Sequence, residues 1–394
     1  MITTATNTEY DNNEAGWSMT RRMTSARLAQ VELIQGAYES DSRFQARRKL
    51  TDFHPLTTST LQRIVGMLYA RQADIVREAP VDLESVGAGG EGIDVVSTEI
   101  ALNLLIYNAA VVVVEQEGVT VTSPLSCPRW DPAGTYYTIT SSRTESTTDP
   151  ATDEEVEQVW TVYRPSRFEI YRKIESKTNK EPRDQLITQE PWREDDVESE
   201  FRLRREPHAP VLRPTMPWPT ALGAAVAKAH RAIYRAESRA DAAELEAVAS
   251  TKIQAAVMGD QDAAQAFAKA LKSNESYVPY SDELGQHLPL SLPTGPAEQL
   301  RETIEAKERR LYKVLGITAA ANAQRSATEA MLDISTGIAT SISTLADKMQ
   351  DVERNMLSLL AQARDTTTLG RAQDVTIDYP NDFAQVDLTT GEES

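Results

Sequence analysis

The chain has 394 residues, with 41 Lys plus Arg against 59 Asp plus Glu, a single cysteine and a formal net charge of −18. That length predicts two or three folded units, and 40% hydrophobic with 25% charged residues fits a folded chain rather than a disordered one. The acidic balance argues against a reader of nucleic-acid sequence, lone Cys127 excludes an intramolecular disulfide framework or a cysteine metal site, and no apolar run approaches the roughly 20 residues that span a bilayer.

The opening MITTATNTEY lacks the basic-then-apolar layout of a signal peptide. It reads as the start of a chain made in a cytoplasm and remaining soluble. Residues 1–20 are polar and are expected to be a flexible arm. Residues 21–50 have a helical composition, with arginines at 21, 22, 27, 43, 47 and 48. Residues 52–75 read as a Thr-capped helix, because Leu61, Ile64, Val65 and Leu68 repeat at helical spacing. Pro80 closes that unit. GAGGEG at 87–92 is a loop; it lacks the Lys-Ser/Thr of a phosphate-binding loop and follows no clear strand. A helix over 94–107 places Val96, Ile100, Leu104 and Tyr107 on one face.

Residues 108–213 change character. AAVVVVEQEGVTVTSP reads as two strands around a Glu-Gly turn. TYYTITSS, VEQVWTVYRP and RFEIYRKI are further β-branched and aromatic strands. Together they predict an antiparallel unit with acidic loops. From 214 the chain is mostly helical and alanine-rich to about 250. A small insert follows: STKIQAAVMG as a strand, DQDAAQAFAKALKS as a short helix, ESYVPYS as a strand and GQHLPLSLPTGP as a proline-rich exit. PAEQLRETIEAKERRLYKVLG is a helix with Pro296 in its first turn and Gly316 at its end.

The last helix carries the longest pattern. Ala327, Met331, Ile334, Ile338, Ile342, Leu345, Met349, Val352, Met356 and Leu359 are spaced by three and four. A helix over 326–362 would be about 55 Å long. Its stripe requires a partner along most of its length, either another helix of the same fold or a neighbouring subunit. DVTIDYPNDF at 374–383 is a late strand, expected to join the earlier β unit.

Catalytic signatures are missing: there is no Walker A sequence, HExxH, GxSxG or CxxC. His54, His208, His230 and His287 are scattered, and Asp195, Asp196, Glu198 and Glu200 lack the glycine-turn spacing of a calcium loop. Glu115 and Glu117 read as an exposed pair on one strand face, not as a catalytic dyad. No cofactor and no enzymatic activity are expected.

The order of these units resembles the portal proteins of tailed bacteriophages, of the short siphovirus/podovirus type. The likeness is carried by LQRIVGMLYARQADI, LEAVASTKIQAAVMG, LRETIEAKERRLYKVLGIT, SATEAMLDISTGIATSISTLADKMQDVERNMLSLLA and VTIDYPNDF, and it covers about residues 40–385. Each stretch is weakly specific alone; their order is more so.

The resemblance implies an α+β portal-type fold. Residues 1–20 would be the arm and 21–213 an α/β wing of helices then antiparallel strands. Residues 214–250 would hold the first stem helix, 251–296 a small α/β clip and 297–315 the second stem helix. Residues 316–325 would be the tunnel loop, 326–372 the long wing and tunnel helix, and 373–394 a closing strand with a short tail. A crown would be minimal or missing.

The implied function is a homo-oligomeric ring, typically a dodecamer, at one capsid vertex of the virion, assembled in the host cytoplasm. Double-stranded DNA would pass through it without sequence recognition during packaging and ejection. Major capsid protein, terminase and a head-tail adaptor would be its partners; no membrane is implied. Another virion structural or scaffolding protein is the alternative. The tunnel loop would present Thr318, Asn322, Gln324 and Arg325, with Arg325 either meeting a phosphate or capping the long helix. Lys252, Gln254, Lys269, Lys272, Tyr277 and Tyr280 would lie on the clip, facing adaptor or terminase. A wall that passes a polyanion should not neutralise it tightly, so Glu298, Glu302, Asp333, Asp347 and Asp351 are candidate channel carboxylates. Equally, they could simply face solvent.

Overall fold

The computed structural model describes residues 7–37, 39–70, 74–143, 157–174, 183–192, 200–218, 221–249, 252–254, 288–290, 295–314, 336–364 and 375–380. Helix and strand are mixed along the chain, as an α+β fold requires. Two compact units divide it. One takes Met1–Arg21, Leu56–Ala227 and Asn322–Ser394; the other takes Arg22–Pro55 and Lys228–Ala321.

The first unit is built on two antiparallel sheets. Val111–Val114 lies between Val119–Thr122 and Val211–Leu212 in a three-stranded sheet. All four valines are buried, so this strand is a continuous apolar run rather than an alternating one. The turn after it closes through the Glu115 N–H to Gly118 carbonyl bond at 2.9 Å. Gly118 has φ +145, and a Cβ there would sit 2.6 Å from the Gly87 backbone. Glycine is needed at that crossing for space as much as for conformation. Glu115 and Glu117 therefore belong to the turn region and not to a strand face. The second sheet is a meander in chain order: Arg129–Trp130, Tyr137–Arg143, Glu157–Tyr163, Arg167–Ile174 and Arg183–Pro191.

The long helix Thr336–Arg364 fills the middle of this unit. It packs on Leu56–Tyr69, Ile93–Tyr107, Val111–Val114 and the closing strand Thr376–Asp378. Ile342, Leu345, Met349, Val352, Met356 and Leu359 are all buried there. The apolar stripe is thus satisfied inside one chain over this span, which removes these six residues from any subunit interface. Each such side chain contributes about 1.5–3 kcal/mol by leaving water.

Two expectations are corrected in this unit. Residues 8–20 are no flexible arm: Thr8–Arg22 is a helix with Tyr10 and Trp17 buried. Trp17 Nε1 donates to the Tyr107 carbonyl at 2.8 Å, and Tyr10 Oη donates to the Leu125 carbonyl at 3.0 Å. Two aromatic anchors in a polar stretch are enough to dock it. The closing strand does not join the 108–213 sheets either. It pairs antiparallel with Val76–Glu78, Arg77 opposite Ile377, a segment whose three residues are too short to stand out in sequence.

The second unit holds residues expected in the wing. Arg22–Pro55 belongs with Lys228–Ala321 because its charged groups are tied to the helix Leu222–Ala249. Arg47 Nη1 donates to Ser238 Oγ at 2.7 Å, and Arg235 Nε donates to the Glu32 carbonyl at 2.6 Å. That helix is followed by strand Lys252–Gln254, which pairs antiparallel with Leu288–Leu290 just ahead of helix Gly295–Val314. The 285–296 stretch was expected to be a proline-rich exit. Pro289 lacks an N–H, which hides this two-stranded ribbon from a sequence reading.

Candidate functional site

The candidate channel carboxylates fall in two places. Glu298 and Glu302 are exposed, one turn apart, on Gly295–Val314 in the second unit. Asp347 and Asp351 are exposed, one turn apart, on Thr336–Arg364 in the first unit. The four therefore form two pairs in separate units. Arg354 Nη1 lies 3.3 Å from Asp351 Oδ1, and Glu305 pairs with Arg309 at 2.8 Å. These exposed pairs are worth little to stability. Lys252 and Gln254 lie in the ribbon, opposite Leu290 and Leu288. Asp333, Thr318, Asn322, Gln324, Arg325, Lys269, Lys272, Tyr277 and Tyr280 lie outside the described residues.

The densest charged site was not anticipated. On Leu222–Ala249, Arg231, Arg235 and Arg239 recur every fourth residue and so share one helix face. Glu32, 6% exposed, is set among Arg231, Arg235 and Arg22. Arg22 Nε is 2.5 Å from its carboxylate; Arg235 Nη2 and Arg231 Nη1 approach at 3.4 and 3.5 Å. Arg47 makes a two-pronged pair with Glu39, both contacts at 2.8 Å. That bond holds the Glu39 carboxyl below its usual range. Burial, then the neighbouring Arg231, lowers the Arg235 pKa. The four-residue arginine repeat was the available signal; alanine content masked it.

Glu237 lies on the opposite side of that helix. Burial raises its pKa, and Glu308 of Gly295–Val314 adds to the rise. On the buried side, His230 and Tyr234 pack against the Phe53 ring, at 5.0 and 5.5 Å between centroids. Burial pushes His230 down to about 4, so it is a neutral packing residue at ordinary pH. Its role is structural, as is that of His208, which is also held neutral by burial.

The glycine-rich loop at 87–92 is occupied by its own chain. Glu91 folds back, and the Gly89 N–H donates to its Oε2 at 3.0 Å. A carboxylate already sits where a phosphate would need that amide. Among the described residues no group of His, Cys, Asp and Glu has the arrangement to hold a metal ion. Among them, too, no helix is long and apolar enough to cross a membrane.

No protein-family model matches this chain, and no curated protein matches it. The functional reading therefore stands on the chain's own geometry and chemistry.

Asp82, Glu84, Glu91 and Glu99 give the first unit an exposed acidic region. Glu91, Val95 and Glu99 are spaced by four, and Val95 is 56% exposed. Burial raises the Glu99 pKa, and Glu91 raises it further.

Proposed function

We propose that this chain is a portal-type protein: one subunit of a ring through which double-stranded DNA enters and leaves a tailed-phage capsid. The observation that carries the reading is the helix–ribbon–helix arrangement. Leu222–Ala249 and Gly295–Val314 flank an antiparallel strand pair, and the long helix and closing strand follow them in the chain. In this reading the two helices are the stem and the ribbon is the base of the clip. The sheets and the long helix make the wing.

A portal guides a polyanion without gripping it. Cations that neutralise phosphates bind tightly and in a salt-dependent way; exposed carboxylates such as Glu298, Glu302, Asp347 and Asp351 would instead repel the duplex. No catalytic group is required, because the work of packaging would belong to a separate motor.

The test is imaging of purified protein. Top views with a central opening and a mass of many subunits are expected. A stable monomer at high concentration, or rods without an opening, would sink the reading and favour another structural protein of the particle.

A further inference from the structure

We propose that the Leu28–Val31–Ile34 row and the arginines bordering it form a docking surface for an acidic segment of a partner protein that also carries apolar side chains. The inference goes beyond the ring and does not depend on it.

Seven large hydrophobic residues are exposed among the described residues, and four of them, Leu28, Val31, Ile34 and Leu50, lie between positions 28 and 50 of the second unit. Single exposed side chains of this kind are ordinary, whereas a row of them marks an interaction surface. Leu28, Val31 and Ile34 form such a row. They step by three along the helical turn Ala26–Ala29 and the tighter turn Gln30–Glu32 that continues it, with Ile34 just beyond, and residues three apart in such turns share a side. Ala29, Glu32 and Leu33 are buried. The segment is therefore fixed to its unit by those residues and presents the apolar row outward, with Val31 and Ile34 69% and 51% exposed.

Arginines border the row. Arg235 Nε donates to the Glu32 carbonyl, and Arg47 Nη2 donates to the Ile34 carbonyl at 2.9 Å. Their positive charge is in excess. Arg22, Arg231 and Arg235 converge on the carboxylate of Glu32. Arg47 holds Glu39 through both oxygens, and Arg239 helps to lower the pKa of that carboxyl. Among the described contacts, five arginines thus share two carboxylates. Arg231 and Arg235 keep 30% and 31% of their side chains exposed, and Arg27 and Arg239 are exposed. A guanidinium has five N–H donors, and the contacts of Arg231 and Arg235 to Glu32 use few of them.

Charge complementarity selects the occupant. Carboxylates of a partner would take the remaining donors, and its aliphatic side chains would cover Leu28, Val31 and Ile34. Arginine beside exposed apolar groups is the composition of a protein interface. A nucleic-acid contact is more polar and would leave the row in water. Arg231 to Arg239 spans about 12 Å along its helix, so an amphipathic partner helix of about two to three turns matches it in length. The carboxylates would chiefly set orientation and partner choice, with the apolar groups adding affinity.

Val31→Asp and Arg239→Glu test this, because both residues are exposed and neither supports the core. The probe is a synthetic helical peptide of about 14 residues, with leucines on one face and glutamates on its flanks. Two control peptides replace its glutamates by lysines or its leucines by alanines. Binding to the full chain would be followed by fluorescence anisotropy, with thermal melting to establish that each variant is folded. The leucine–glutamate peptide should bind wild type with a Kd below about 1 mM. Each substitution should weaken it about tenfold, added salt should weaken it further, and both controls should bind about tenfold less. No binding of that peptide, binding that neither substitution changes, or equal binding of the lysine control would overturn the inference. So would a short DNA duplex, or phosphatidylserine vesicles, bound by wild type and lost by both variants while peptide binding is unchanged; the surface would then belong to nucleic acid or lipid. Wild-type self-assembly that both variants lose in mass photometry would make a second copy the occupant and also overturn it. Rings without peptide binding would keep the portal reading and sink this inference, and peptide binding by a wild-type monomer would do the reverse.

Discussion

Arg77 lies edge-on to the carboxylate of Glu353, with Nε 2.8 Å from Oε2 and Nη2 3.0 Å from Oε1. Glu353 is fully buried within the long helix, and Arg77 is only 8% exposed. Tyr379 Oη donates to Glu353 Oε1 at 2.5 Å, and Arg77 Nη1 reaches Asp94 at 2.6 Å. One carboxylate therefore ties the 76–78 strand, the long helix and the end of the closing strand. Burial opposes the charge on Arg77, and Glu353 more than offsets it, raising the Arg77 pKa. Removing one partner strands the other: Glu353→Leu should cost about 3–5 kcal/mol, and Arg77→Met a similar amount. The double variant Arg77→Met, Glu353→Leu should cost less than the two single changes combined. Urea denaturation of the four proteins measures this, and additive costs would refute the coupling.

Trp17 makes a separable prediction. It is 4% exposed and donates to the Tyr107 carbonyl. Trp17→Ala should destabilise by about 3–5 kcal/mol. Trp17→Phe should cost less, on the order of 1–2 kcal/mol, because the ring remains but the donor is lost. An undocked helix would give values near zero in the same denaturation assay.

His230 should give stability a measurable pH dependence. Its folded pKa is down to about 4, against 6.5 in the unfolded chain. The unfolded state then binds the extra proton. The contribution is fully present above about pH 6.5 and is lost as pH falls through about 4. Its size is on the order of 3 kcal/mol. Subtracting the pH profile of His230→Phe from that of wild type isolates it; identical slopes between pH 6.5 and 4 would refute it.

Cys127 should resist modification. It is fully buried, and burial pushes its thiol up to about 12. Native protein should react with a thiol-specific chromogenic disulfide at pH 8 only as fast as it opens, and at full rate in denaturant. Rapid native labelling would show that this part of the first unit is open.

Asp347 and Asp351 should matter to passage rather than stability. Both are exposed on the long helix, so Asp347→Asn with Asp351→Asn should change stability by no more than about 0.5 kcal/mol. If these carboxylates border a DNA path, the same change should slow packaging in a reconstituted reaction. Unchanged packaging would take them out of the path.

The helices were legible where apolar spacing was regular. Leu61, Ile64, Val65 and Leu68 are buried as a face, and so is the 342–359 stripe, because helical period and core position coincide. What failed to show was long-range pairing. Val76–Glu78 has no apolar alternation, and its partner lies about 300 positions away in the chain. Pro289 disguised a strand. Arg47 and Glu32 look like surface charges in sequence, yet both are buried: Glu32 finds Arg231 and Arg235 far along the chain, and Arg47 pairs with nearby Glu39 while donating to distant Ser238. The candidate carboxylates were legible as types but not as places. Spacing alone puts Glu298 with Glu302 and Asp347 with Asp351; it does not reveal that the pairs belong to different units.

The pairing of residues 376–378 with 76–78 sets an order of events during synthesis. The strand that completes the edge beside Arg77 leaves the ribosome long after its partner, as does the long helix that covers Val111–Val114. Until then, nascent polypeptide carries an uncovered valine-rich ladder and an open strand edge. Translation therefore has to pass residue 378 before this half can mature, and a product stalled or truncated before that point would be a natural client for chaperones.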